Sequence, residues 1–333
     1  MKQKSIGRGE EIISPALVLL FLSPAIGELL SGSSPPVEFF SLPGFVLLTI
    51  LYGGGAILAR ELMHRWNKGW LALLLLGASY GIAEEGLICK SFFDPNWADV
   101  GILGEYGRFL GVNWVWSLLL IFYHAVFSIA IPVLLVTLMF PEYSAREWIS
   151  RRGWKLLFLL WIANGVFIFL SISPYRPPFL PYLIALIIAI GLCVLARCMP
   201  YPKPAPEKMR IVHPFWFGFT GFFATLGLFS LAWGLPNVGI PPWLSLLFMA
   251  GLALAAGWVI LKVLGNGISW PQRHQFALAA GALGFFILLA PLHEMDKTRI
   301  DNTAGMSLVG LLMLAFLFWI GWKMKKFERN KAT

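Results

Sequence analysis

Residues 114–139 read WVWSLLLIFYHAVFSIAIPVLLVTLM, 26 residues in which His124 is the one side chain that charges near neutral pH. A helix of that length spans about 39 Å, more than the ~30 Å hydrocarbon core of a bilayer. The surroundings agree with a lipid environment. The chain has 333 residues, 58% hydrophobic and 13% charged, with a mean hydropathy of +0.74. Soluble proteins carry about 25% charged residues, so a water-soluble domain is excluded, and so is a disordered chain. Runs of similar character recur at 12–30, 43–63, 69–89, 155–173, 179–197, 214–234, 242–263, 275–292 and 304–323. The reading is an all-α, polytopic transmembrane bundle of about ten spans.

The net charge of +9 resolves into an orientation signal. With both termini cytoplasmic, the outer loops keep only Lys90, Arg108, Arg176, Lys297 and Arg299; the rest of the 26 Lys and Arg residues fall inside. Such a bias is the positive-inside rule. It predicts a multi-pass protein of a prokaryotic plasma membrane whose partner is the lipid bilayer, with no nucleic acid, since no basic stretch is interleaved with aromatics. Lys2, Lys4 and Arg8 flank the first span as in a signal peptide, but Glu28 interrupts the run and no A-x-A site follows, so a retained helix is expected. Cys89, Cys193 and Cys198 form no disulfide framework and no metal motif. No cofactor and no metal are read, and no phosphate-binding loop occurs. The longest loop, 90–113, is too short for a soluble catalytic domain. It reads as an interfacial amphipathic segment around Trp97, with a cover over a cavity as the alternative.

Ionisable groups inside a bilayer cost roughly 2.5–3.5 kcal/mol each on insertion scales, and here they concentrate in the first four spans. This divides the chain into a polar-site half, 1–173, and an apolar scaffold half, 174–333, within one integral unit. Glu28, just before SGSSPP, reads as an interfacial carboxylate beside a turn. Arg60 and Glu61 read as a snorkelling ion pair. The segment 77–90, GASYGIAEEGLICK, is the most informative. Gly77 and Gly81 form a G-x-x-x-G that lets a neighbouring helix approach. Glu84, seven residues beyond Gly77, returns to within about 20° of the same stripe. Glu85 follows about 100° round. Two adjacent carboxylates in a low-dielectric pocket cannot both ionise cheaply, the preparation a general base or a proton carrier needs. Lys90 is a candidate to neutralise them. His124 lies roughly 15 Å along its helix from Trp114, and Asn164 lies near the middle of the fifth span. The segment 293–299, HEMDKTR, lacks the second histidine of H-E-x-x-H and reads as a solvated turn.

Adjacent glutamates on one helix, a histidine on the next and an asparagine on the one after resemble the CAAX-protease and bacteriocin-processing (CPBP, or Abi) family of intramembrane glutamate proteases, whose helices carry EExxxR, FxxxH and HxxxN. The resemblance implies that Glu84 or Glu85 activates water while His124 and Asn164 stabilise the oxyanion. It covers spans three to five. Cys89 stands at the arginine position, and Leu120 and Leu160 replace the residues four before His124 and Asn164. More broadly, SPAIGELLSGSSPP, YGGGAILAREL, YGIAEEGL, SFFDPNW and YHAVFSIAIP resemble a widespread group of uncharacterised prokaryotic membrane proteins over roughly the first 140 residues. Three functions follow as alternatives. One is an outward-facing Glu/His site for peptide hydrolysis. The second is a secondary transporter or proton-coupled permease titrating Glu84/Glu85, with Arg60–Glu61 as its inner continuation and a small molecule as substrate. The third is a non-catalytic scaffold or immunity-type protein.

Overall fold

The computed structural model describes residues 14–201, 212–260 and 270–332. Lys2, Lys4, Arg8, Lys203, Lys208, Arg210 and Lys262, counted above as cytoplasmic charge, lie outside the described residues, as do 12–13 and 261–263 at the ends of two expected spans. Of the described residues 77% are helical, and the fold is essentially all-α. Among the described residues, eight helices are long and apolar enough to cross a membrane, and two shorter apolar ones accompany them. In chain order they are α1 (Pro15–Leu30), α2 (Leu42–Arg65), α3 (Trp70–Ile88), α4 (Trp114–Met139), α5 (Arg151–Ser171), α6 (Phe179–Cys198), α7 (Pro214–Asn237), α8 (Pro242–Trp258), α9 (Gln272–Met295) and α10 (Met306–Ala332).

Contacts between the connections sort them onto two faces. On one, Arg299 donates to the Gly32 carbonyl, Ser173 to Asp94, and Tyr106 to the Ile240 carbonyl. On the other, Arg60 donates to the Ser144 carbonyl, Arg65 to that of Ile149, and Lys68 to that of Met199. Asp99, after α3, lies close enough to Arg299, after α9, for their charges to interact, so the connections following α1, α3, α5, α7 and α9 share one face, and those following α2, α4 and α6 share the other. This is the alternation expected of successive crossings.

The first four helices form the centre. In α4, 72% of the most apolar stretch is buried within the protein, against 17% in α5 and α6. The peripheral helices turn large side chains outward, among them Leu170, Phe179, Leu254 and Phe318, as apolar helices facing acyl chains do. Small residues set the tightest crossings. A Cβ on Gly53 of α2 would lie 2.0 Å from the Leu20 carbonyl oxygen of α1, and one on Gly281 of α9 would lie 1.9 Å from that of Gly218 of α7.

The segment 90–113 forms a folded cap, and it also exposes Ile102, Phe109 and Leu110, as an interfacial amphipathic segment does. Phe92, Phe93, Val100 and Leu103 are buried, and a short antiparallel pair, β1 (Arg108–Phe109) and β2 (Val112–Asn113), closes it. Its polar side chains hold its own backbone: Arg108 donates to the Phe93 and Gly104 carbonyls, and Asn113 to that of Leu103. Nor does Arg60 snorkel. It is 2% exposed, pairs with Glu61 at 2.6 Å and stacks on Trp148 at 3.9 Å. Glu61 also accepts the Trp148 amide, so this pair ties α2 to the connection after α4. The HEMDKTR turn is structured too: the Glu294 carboxylate accepts the Gly305 and Ser307 amides at the start of α10.

Candidate functional site

The glycine stripe of α3 packs on α4. A Cβ on Gly77 would stand 2.7 Å from the Ala125 Cα, and one on Gly81 would stand 3.0 Å from the His124 Cβ. This contact carries Glu84 and Glu85 up to His124. His124 Nδ1 is 3.1 Å from a Glu84 oxygen, and Nε2 is 3.1 Å from a Glu85 oxygen. One imidazole therefore stands between two carboxylates. Glu84 and His124 are each 1% exposed, and the Glu85 side chain is 13% exposed.

Four helices change winding around this point. Wider, π-helical turns occupy Ala25–Leu30, Thr49–Gly53, Ile82–Ile88 and His124–Ala130. Such turns are rare and mark functional positions in helices. Each delivers a side chain to the same place: Glu28, Tyr52, the Glu84/Glu85 pair, and His124 with Ser128. The Tyr52 hydroxyl donates to Glu28, whose second oxygen accepts from Ser34 at 2.7 Å. Ser128 Oγ is 2.9 Å from His124 Nδ1. The rings of Tyr52, Tyr80 and Tyr123 stand 5.8, 5.9 and 5.3 Å from the imidazole, and Tyr123 anchors α4 to α1 through the Gly27 carbonyl.

From the cap, Ser91 donates to Glu85 and itself accepts from the Trp116 indole at 3.1 Å. Asp99, also on the cap, keeps much of its area exposed. Crowding by the loop and the Glu85 charge push its carboxyl up to about 6, an effect that water at an exposed position screens. Lys90 does not neutralise the glutamates. Its ammonium turns to the carbonyls of Phe169 and Ser173 and caps α5. Asn164 gives its amide to the Leu47 carbonyl at 3.1 Å, apart from the hydrogen bonds around His124.

Two buried oxygens of the cluster have no hydrogen-bond partner: one of Glu84 and the Tyr80 hydroxyl. Tyr80 lies close enough to Glu84 to feel its charge, yet no properly aligned hydrogen bond joins them. A buried polar group without a partner costs about 1–3 kcal/mol, and its retention marks a place that receives something else. Glu28, Tyr52, Tyr80 and Ser128 were not among the residues singled out as a site in the sequence. The legible signal for Glu28 and Tyr52 was the pair of small-residue breaks beside them, Pro24–Gly27 and Gly53–Gly55.

A family profile described as an uncharacterized membrane protein family matches residues 17–233, more than half of the chain and all of this cluster. The chain belongs to that family. This agrees with the resemblance seen over its first part and adds nothing to the CPBP pattern. No curated protein and no solved structure matches the chain.

Proposed function

We propose that this family member is an intramembrane hydrolase acting on a membrane-borne peptide. The observation that carries the reading is the imidazole held between two carboxylates at 3.1 Å on either side, with the Glu84 oxygen of that contact making no aligned hydrogen bond. A water against that oxygen gives up a proton to Glu84 as its own oxygen bonds to the peptide carbonyl carbon. The carbonyl electrons move to oxygen, where His124 and the Tyr80 hydroxyl supply donors. Collapse breaks the C–N bond, and the proton passes to the leaving amine. The positive-inside bias supports a site toward the outer face of a prokaryotic plasma membrane, beneath the cap. Transport is less well supported, because Arg60 and Glu61 are absorbed in a structural tie to Ser144 and Trp148.

The test is hydrolysis by the full chain in liposomes, using a library of peptides with hydrophobic anchors in ¹⁸O-labelled water. New C-termini carrying ¹⁸O are expected from the wild type, and at least ~100-fold fewer from Glu84→Gln or Glu85→Gln. Equal labelling in both variants would overturn the glutamate mechanism.

A further inference from the structure

The arithmetic of charge at the cluster asks for a cation. Glu84 and Glu85 bring two carboxylates, His124 is the imidazole between them, and Lys90, the nearest basic residue in sequence, is committed to the end of α5. A ligand atom from each of Glu84, Glu85 and His124 lies within 4.8 Å of the other two. Around an ion with bonds of about 2.0–2.2 Å, tetrahedral ligands stand about 3.3 Å apart. One ion takes one ring nitrogen, and the contact between Nε2 and Glu85 at 3.1 Å already has that spacing. We propose that Glu84, Glu85 and His124 form a binding site for one divalent transition-metal ion of the zinc class.

Three protein ligands of nitrogen and oxygen character with room for a water are the pattern of an open zinc site. Two carboxylates and one doubly charged ion sum to zero, which suits a low-dielectric interior. An ion takes only one ring nitrogen. With Nε2 as the ligand, Nδ1–H donates to Ser128 Oγ at 2.9 Å, the kind of outer partner that fixes a ligating histidine. The Tyr80 hydroxyl, on a residue 6% exposed and without a hydrogen-bond partner, is the second, independent mark of a ligand here. A carboxylate bound through one oxygen keeps the other for the proton of a metal-bound water, so the inference deepens the hydrolytic reading while resting on geometry of its own.

The probe is Zn²⁺ alone, titrated into the untagged full chain in nanodiscs after chelator treatment. One tightly held zinc per chain is expected, with affinity falling at least ~100-fold in Glu84→Gln and in His124→Gln. Asp296→Asn, on an exposed turn, serves as the unaffected control. No retained zinc, or undiminished binding in the combined Glu84→Gln, Glu85→Gln and His124→Gln variant, would overturn the site. X-ray absorption of the zinc-loaded wild type keeps the test decisive even if the variants do not fold. It should find nitrogen and oxygen neighbours at about 2.0–2.2 Å, whereas a sulfur shell near ~2.3 Å would move the ion to the cysteines. Zinc bound without peptide hydrolysis would remove the hydrolytic reading and leave this site intact. Hydrolysis by metal-stripped chain, with no zinc taken up, would do the reverse.

Discussion

His124 owes its position to residues with little chemistry of their own. Gly77 and Gly81 admit α4, Ser128 holds one ring nitrogen, and three tyrosine rings restrict the imidazole. Tyr80 is the most revealing of these, because its hydroxyl is buried without a partner. Tyr80→Phe removes an unsatisfied group, so the variant is expected to be about 1 kcal/mol more stable while losing hydrolytic rate. Thermal unfolding in detergent beside the ¹⁸O assay reads both, and a less stable Tyr80→Phe would mean that the hydroxyl is bonded after all. At this scale Glu84, Glu85 and His124 were legible, since charged groups in apolar runs announce themselves. Tyr80 was not: aromatic residues are ordinary in membrane helices, and only its ring contacts and hydroxyl environment distinguish it.

Helix ends and crossings set the next level. The last carbonyls of a helix lack partners within it, and lipid offers none. Here lysines from other helices or connections supply them: Lys90 at the end of α5, Lys68 at that of α6 and Lys323 at that of α4. The positive charge also suits the negative end of the helix dipole. The spacing of cations in the sequence could not reveal which distant helix each one caps. The α3–α4 crossing is equally specific. Gly77→Val puts methyl groups where Ala125 backbone lies 2.7 Å from a bare Cβ, and should cost about 1–3 kcal/mol and abolish hydrolysis by separating Glu84 from His124. Full activity in that variant would contradict the crossing. Between α9 and α10, Arg299 bonds both Asp301 and the Gly32 carbonyl. The hydrogen bond from Arg299 holds the Asp301 carboxyl below its ordinary value of 3.8. The folded state therefore gains from Asp301 above that value and loses the gain as pH falls through the lower folded one. The difference in melting temperature between wild type and Asp301→Asn should be full at pH 7 and shrink as the pH falls below 3.8. A difference independent of pH would place the effect elsewhere.

Across the whole molecule, two polar clusters occupy opposite ends of the central helices, and they do different work. The Arg60–Glu61 pair, 2% and 0% exposed, is tied to Ser144 and Trp148. Removing one partner of such a buried pair costs about 3 kcal/mol. Glu61→Gln should therefore lower stability while leaving zinc binding and hydrolysis unchanged per folded molecule; a variant that folds normally and loses either one would join the two clusters in one path. Composition and run length were enough to establish a multi-pass helical bundle, because the cost of placing polar groups in hydrocarbon is written residue by residue along the chain. The spans read at 114–139 and 179–197 recur as Trp114–Met139 and Phe179–Cys198 for that reason. Convergence is another matter. Glu28, Tyr52, Glu84 and His124 come from four helices, and each reaches the same point through a π-helical turn. Neither apolar periodicity nor local propensity encodes such a turn reliably, because it forms where neighbouring helices press against one another. The membrane could be read from the order of residues; the site exists only once those helices are packed.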